Sequence, residues 1–230
     1  MIKKHLKRLA TPKNWPIKRK GSVFITRPNP GAHTLSLGVS LNTLFKEIIP
    51  KCKTRKEVMF LLNKKGVLVD GRRRKDPKYN VGLMDVVEIP STKEYFRILL
   101  DEKGKLFALQ IDKKDAELKP VRIKGKTVLK KGKIQLNTGG GRNILVEKDD
   151  YKVGESLILK IPEQKIVDHI KPEKGAILYF IDGTYAGHSG KLEKIDGNKI
   201  IFKNEKGELF ETKKGYEFLI GKDKPLIKIK

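Results

Sequence analysis

Basic side chains are concentrated at a predicted turn in the first half of the chain. Segment 66–71 (GVLVDG) is typical of a strand that ends in an Asp-Gly turn. Three consecutive arginines follow it directly: Arg72, Arg73 and Arg74. The planar guanidinium group of arginine binds phosphate through paired hydrogen bonds and stacks on nucleobases. The run therefore predicts a surface that binds phosphate groups, and the alternative is a solvated charged turn.

A predicted helix next to this strand carries two further basic residues, Arg55 and Lys56. Thr54 and Glu57 have the spacing of a capping box, so we expect the helix to begin at Thr54. We expect Arg55 and Lys56 to lie near the same surface as the three arginines. Together they would form one basic face on a rigid scaffold, which suits structured RNA because such RNA is recognised mainly through its backbone and shape.

The first 34 residues form a second basic region without any acidic residue, and their four prolines disfavour a long helix or a central strand. We predict an extended arm that becomes ordered only when it binds a polyanion. The arm residues expected to contact RNA are Lys3, Lys4, His5, Lys7, Arg8, Lys13, Trp15, Lys18, Arg19, Lys20 and Arg27.

Two glycine-rich loops are weaker candidates. One loop contains Gly183, Gly187 and Gly190, and glycine would let its backbone approach a phosphate. We expect RNA contacts in this loop from Gly187, His188 and Lys191, and the alternative is a simple β-turn. The second loop, residues 137–143 (NTGGGRN), offers Arg142 as a contact. Neither loop matches a nucleotide-binding motif, because no Gly-Lys-Ser/Thr and no following helix is present.

The sequence contains no recognisable catalytic or metal-binding motif. GxSxG, HExxH and paired carboxylates in a catalytic context are all missing. Cys52 and four scattered histidines do not supply the usual ligands of a zinc site. We therefore predict a protein that is not an enzyme, with no catalytic residue, metal, cofactor or small-molecule substrate. The enzymatic alternative is an RNA-modifying protein, since small RNA-binding modules often accompany such domains.

The overall charge supports a nucleic-acid partner. The chain has 52 Lys and Arg against 27 Asp and Glu, a formal net charge of +25. Binding to nucleic acid releases condensed counterions and neutralises such a charge. A membrane surface is the rival polyanion, but the sequence has no long apolar run, signal peptide or lipidation motif. One cysteine excludes an internal disulfide, and we predict a cytoplasmic protein that does not bind membranes.

The predicted elements give an α+β protein built from several modules. Residues 1–40 form the arm, and residues 41–92 form a small module of two helices and two strands, with helices at 41–50 and from Thr54. Residues 93–172 have short strands and glycine turns that indicate a β-rich domain. The predicted strands are 96–100 and 106–111, which form a hairpin, then 121–128, 134–136 and 157–161. Residues 173–230 contain closely spaced short strands that predict a small SH3-like barrel and a C-terminal strand. These five strands are predicted at 176–181, 191–195, 200–204, 209–212 and 216–220.

Residues 5–15 (HLKRLATPKNW) closely resemble the N-terminal signature of the archaeal and eukaryotic small-subunit ribosomal protein family S4e. The resemblance continues through Arg27-Pro28 and residues 31–33, then through the VDG and GLMDV segments at 69–71 and 82–86, and ends near Gly221. It implies an S4-type RNA-binding module at 41–92 and a KOW-type SH3-like barrel after residue 173. The end of the chain at Lys230 and its lysine- and isoleucine-rich composition resemble archaeal members.

This resemblance implies a structural protein of the small ribosomal subunit that binds and stabilises rRNA. The expected partners are the 5′ domain of small-subunit rRNA and neighbouring ribosomal proteins. The alternative is a free regulator of transcription or translation that carries a KOW module. Basic residues spread over every module favour a protein embedded in RNA.

Overall fold

The computed structural model describes residues 5–204, 206–222 and 224–229, without the side chain of Lys131. It is mostly β with few helices and divides into two compact units. The N-terminal unit contains the chain up to Leu99 together with Lys105–Ala116. The C-terminal unit contains Leu100–Gly104 and everything from Glu117 onward.

The N-terminal unit contains short strands and three helices. Its strands are β1 (Leu6–Lys7), β2 (Phe24–Ile25), β3 (Gly38–Ser40), β4 (Leu68–Val69), β5 (Arg72–Arg73), β6 (Asn80–Gly82), β7 (Val86–Ile89), β8 (Glu94–Leu100) and β9 (Leu106–Ile111). Its helices are α1 (Leu41–Thr43, continued by a π-helical turn at Leu44–Ile48), α2 (Arg55–Phe60, continued likewise at Leu61–Gly66) and α3 (Lys113–Ala116). A 3-10 turn occupies Arg8–Ala10.

The two predicted helices of the module are confirmed, and local side chains explain where they begin. Ser40 accepts a hydrogen bond from the backbone N–H of Thr43 at the start of α1. Thr54 accepts one from the N–H of Glu57 at the start of α2, and a Glu57 carboxylate oxygen accepts from the N–H of Lys53. These bonds satisfy backbone donors that the first helical turn leaves unpaired.

The strands β5-β4-β7-β8-β9 form one five-stranded sheet, and β3 pairs with β6. The predicted hairpin between residues 96–100 and 106–111 is confirmed as β8 and β9. Because β8 pairs with β7 from Val86↔Arg97 to Ile89↔Glu94, the sheet continues across the predicted boundary at residue 92. The division into units therefore falls later in the chain than that boundary.

The arm is not extended, which corrects the expectation from its prolines. β1 and β2 pair in antiparallel register, and the Arg8 guanidinium donates to Ser22, to the Lys18 carbonyl and to Glu47, the last at 2.7 Å. Trp15 is 2% exposed, and its indole N–H donates to the Leu35 carbonyl at 3.1 Å. Hydrogen bonds between residues distant in sequence fold this segment back onto its own unit.

The C-terminal unit is made of two antiparallel sheets, ordered β12-β11-β10-β13-β14 and β18-β17-β16-β15-β19. Their strands are β10 (Leu118–Val128), β11 (Ile134–Thr138), β12 (Asn143–Val146), β13 (Ser156–Lys160), β14 (Lys165–Ile170), β15 (Ile177–Phe180), β16 (Ser189–Asp196), β17 (Lys199–Lys203), β18 (Leu209–Lys213) and β19 (Glu217–Gly221). A 3-10 turn, Lys130–Gly132, joins β10 to β11.

Two apolar clusters hold this unit together. One contains Val121, Leu136 and Leu157 from the first sheet. The other is centred on Phe180 and Phe202, whose ring centroids lie 4.3 Å apart. All five strands predicted after residue 175 are confirmed, and the interpretation of their sheet as an SH3-like barrel stays a prediction.

Trp15→Ala tests whether the arm belongs to the folded N-terminal unit. We expect the variant to lose about 3–5 kcal/mol of unfolding free energy in urea denaturation, because truncation of a buried tryptophan leaves a cavity. The control Leu9→Ala removes a side chain that is 74% exposed, and we expect a change within about 0.5 kcal/mol. Equal stabilities of the two variants in the absence of RNA would contradict a folded arm.

Glu57→Gln tests the cap of α2 through its pH dependence. Hydrogen bonds from the Lys53 backbone and the Thr54 side chain lower the pKa of Glu57 from its ordinary value of 4.5. A lowered folded-state pKa gives stability that is present above the unfolded value and is lost as the pH falls through the folded value. We expect a lower melting temperature than wild type at neutral pH, and a difference that shrinks on acidification. A difference independent of pH would contradict this.

Candidate nucleic-acid interface

The hairpin β4–β5 holds the arginine run in place. Asp70 and Gly71 both have positive φ, 51° and 73°, which matches the tight turn expected from an Asp-Gly pair. The buried Asp70 carboxylate accepts from the Val86 N–H at 3.0 Å, and the Asp70 N–H donates to the Val86 carbonyl at 2.8 Å. These two hydrogen bonds hold the turn against β7 and so fix the position of the backbone from which the three arginines extend.

The three arginines have different surroundings. Arg72 is exposed and has no hydrogen-bond or ion-pair partner among the described residues. Arg73 is also exposed, but its guanidinium donates to the Asn63 carbonyl at 2.7 Å. The Arg74 guanidinium lies over the ring of Tyr79, 4.3 Å from its centroid. Arg72 is thus the most available phosphate ligand, and stacking holds Arg74 in one orientation.

Arg73 lies beside the end of α2 and not beside its beginning. Arg55 and Lys56 are exposed in the first turn of α2, eight and seven residues before Asn63, and their contact with RNA stays a prediction. Arg73 instead contacts the last turn, where Lys64 and Lys65 are exposed between Asn63 and Gly66. Cations at a helix C-terminus are favoured by the helix dipole, and this signal could have identified the two lysines. We define the hairpin face as Lys64, Lys65, Arg72, Arg73 and Arg74.

The basic residues of the arm fall into two groups. The Arg8 guanidinium is bound within the chain, and that of Arg19 donates to the carbonyls of Thr11 and Pro12. These donors and the buried Trp15 are engaged inside the unit and stabilise the arm, and their contact with RNA stays a prediction. Among the predicted contacts of the arm, the exposed side chains in the described residues are His5, Lys7, Lys13, Lys18 and Lys20.

The remaining predicted contacts of the arm are Lys3, Lys4 and Arg27, and the exposed His5 has an aromatic neighbour. Lys3 and Lys4 lie outside the described residues. Arg27 is half-buried, and its contact with RNA stays a prediction. His5 lies beside Phe24, with ring centroids 5.8 Å apart, so its imidazole is held at the surface of the β1–β2 ribbon.

The first glycine loop packs against residues of its own unit. A β-carbon on Gly187 would overlap the carbonyl group of Asp101, and the Gly187 N–H donates to the Phe180 carbonyl at 2.8 Å. The Nδ1 atom of His188 is shielded from solvent without a partner in the described structure. Lys191 is exposed on β16. Contact of Gly187, His188 and Lys191 with RNA stays a prediction.

Arg142 closes the second glycine loop through its main chain. Its carbonyl accepts from the N–H and the hydroxyl of Thr138, at 2.9 and 2.8 Å. The side chain is half-buried. Its predicted contact with RNA stays a prediction.

The described ranges contain neither a candidate metal site nor a candidate membrane span. No group of three or more His, Cys, Asp or Glu there has an arrangement that could hold a metal ion. No helix in the same ranges is long and apolar enough to cross a membrane.

Known proteins are similar to this chain along its whole length. Family models match at residues 2–36 (RS4NT domain), 49–87 (S4 domain) and 92–166 (ribosomal family S4e). The protein named small ribosomal subunit protein eS4 of Methanosphaera stadtmanae is 42% identical, covering 99% of this chain and 96% of the relative. The chain belongs to the S4e family of ribosomal proteins. The S4e protein of Methanocaldococcus jannaschii is 40% identical, with 99% and 98% coverage.

A crystal structure of the S4e protein from Thermoplasma acidophilum supports the fold. It matches with a TM-score of 0.69 and 28% identity, covering 80% of this chain and 95% of that one. In this S4e protein the S4 domain match contains α2 and the whole hairpin face. The RS4NT match spans the folded arm.

Arg72→Ala and Arg73→Ala separate binding from packing at the hairpin face. We expect Arg72→Ala to weaken binding to a structured RNA hairpin. A plot of the logarithm of the binding constant against the logarithm of the salt concentration has a slope, here called the log–log salt slope, which we expect to be smaller in magnitude by about 0.9, the value for one lost phosphate contact. We expect Arg73→Ala also to lower the unfolding free energy by about 1 kcal/mol, because the Asn63 carbonyl loses its donor.

Lys114→Ala on α3 is the matched control, since it removes an exposed cation from the same unit but outside the face. We expect its salt slope to equal that of wild type. If Arg72→Ala and Lys114→Ala had the same slope, the hairpin face would not be a phosphate-binding surface.

Proposed function

We propose that this S4e protein is a structural constituent of the small ribosomal subunit, in which it binds and stabilises small-subunit rRNA in the cytoplasm. The observation that carries the proposal is the hairpin face, where four exposed cations and the half-buried Arg74 lie together within the residues that match the S4 domain. Its charge would be neutralised by phosphates, and the released counterions would supply much of the binding free energy.

The proposed partners are rRNA, in particular its 5′ domain, and neighbouring ribosomal proteins. The exposed lysines of the arm extend the basic surface beyond the hairpin face. We further propose that residues 173–230 form a KOW-type barrel and that the four predicted modules act as separate contact regions. Phosphate contacts of this kind position a protein on RNA but do not read its sequence.

The free-regulator alternative is not favoured. Similarity to proteins named small ribosomal subunit protein eS4 covers nearly the whole chain, which leaves no room for an additional regulatory domain within it. We also propose that the protein is not an enzyme and acts without a cofactor, because its basic side chains suit binding and its family is ribosomal.

Sedimentation of a cell lysate tests the proposal. We expect the wild-type chain to migrate with the small subunit and to remain there after a moderate-salt wash, since many phosphate contacts act together. The fractions are checked by immunodetection of this chain and by hybridisation to small-subunit rRNA. A chain at the top of the gradient, with the rRNA elsewhere, would overturn the proposal and favour the free regulator.

A further inference from the structure

A groove of about 580 Å³ lies between the strands β15–β17 and the C-terminal segment of the chain. The segment folds back onto β19, because Gly221 bridges Pro225 and the Leu226 N–H donates to the Ile220 carbonyl at 3.0 Å. Ile227 is 2% exposed, so its buried side chain packs the segment against the rest of the unit. One wall of the groove is therefore a fixed part of the fold.

The groove combines an apolar floor with a cationic rim. Its apolar lining includes Ile177, Pro225 and Ile229, which we call the floor. The lining lysines, which we call the rim, are Lys191, Lys203 and Lys228. Lys203 contacts Glu193 at 3.0 Å, whereas Lys191 and Lys228 have no ion-pair partner within the described ranges. No acidic side chain of the described residues lines the groove. Its chemistry suits a ligand that is anionic and also has an apolar surface.

An unpaired nucleotide has both properties, because its base presents flat faces and its flanking phosphates carry charge. In an RNA duplex the base faces are stacked and cannot reach an apolar floor. A second copy of a chain with charge +25 would be repelled. The volume also lies within the range of about 300–1,000 Å³ that is typical of small-ligand sites.

We propose that this groove binds an unpaired nucleotide of the rRNA, with its base against the floor and its phosphates against Lys191 and Lys228. The inference rests on the proposed function, which it deepens by assigning a second RNA site away from the S4 domain. The binding site is built from the C-terminal segment, which the family models for residues 2–36, 49–87 and 92–166 do not include.

Binding of the purified full chain to a fluorescent oligouridylate tests the groove. The variant Lys191→Glu/Lys228→Glu removes the two available cations of the rim. We expect about tenfold weaker binding and a log–log salt slope lower by about 1.4, because a single strand loses about 0.7 per phosphate contact. With thiouridine in the oligonucleotide, we expect photocrosslinks to peptides that contain residues 189–191 or 224–229.

Lys194→Glu/Lys213→Glu is the matched control. It makes the same change in net charge at two exposed positions of the same sheet that do not line the groove. We expect a smaller loss of affinity and a smaller reduction of the salt slope than for the groove variant, because these two positions act only through general, screened attraction. Ile229→Ala, which keeps the charge, is expected to weaken oligouridylate binding without a change in slope. Melting curves of all three variants establish that they fold.

Three outcomes would overturn the groove site. Equal salt slopes for the two double variants would exclude specific phosphate contacts at the rim. Crosslinks confined to other peptides would place the strand elsewhere. Tighter binding of a fluorescent oligoglutamate peptide than of oligouridylate, lost in Lys191→Glu/Lys228→Glu, would assign the groove to an acidic protein segment. Each of these differs from failure of the proposed function, in which the wild-type chain does not sediment with the small subunit.

Discussion

Unbalanced positive charge is the constraint on which the other features of this protein depend. With 27 acidic residues for 52 basic ones, ion pairing within the chain leaves many cations without a partner. Acidic groups are therefore shared: Glu193 contacts both Lys174 and Lys203, whose hydrogen bonds lower its pKa. Cations that remain have to face solvent or an external anion, since an unpaired charge in the interior is costly.

The fold also stabilises some cations in its interior. Arg97 is fully buried, and its guanidinium donates to the Asp115 carbonyl at 2.7 Å. Desolvation lowers its pKa to about 10, while the negative charges of Asp115 and Asp70 act in the opposite direction. Arg97 therefore remains charged at neutral pH. Like Arg8 and Arg19, it is a cation whose hydrogen-bond partners lie within the chain.

Sequence reasoning succeeded where the signal was local. The capping box at Thr54 and the Asp-Gly turn at residue 70 each determine a few adjacent torsion angles, so their residue types suffice to predict them.

Sequence reasoning failed where contacts between distant residues decide the structure. The arm is folded by bonds such as that between Arg8 and Glu47, 39 positions apart, and composition gives no indication of such a bond. Strand β14 was missed because Lys165 and Asp168 obscure its alternating pattern. For the site, the arginine run was found, but its neighbours Lys64 and Lys65 depended on the packing of α2.

The turn Leu100–Gly104 belongs to the C-terminal unit although the strands on both sides of it belong largely to the N-terminal unit. Within the C-terminal unit, the Tyr179 hydroxyl donates to the Leu100 carbonyl at 2.7 Å and accepts from its N–H at 2.8 Å. These partners are 79 residues apart. At a synthesis rate of about 5–20 residues per second, Leu100 is made roughly 4–16 seconds before Tyr179. During that interval the nascent hairpin has no partner for its tip, and the last part of the chain to be made completes a structure begun in the first half.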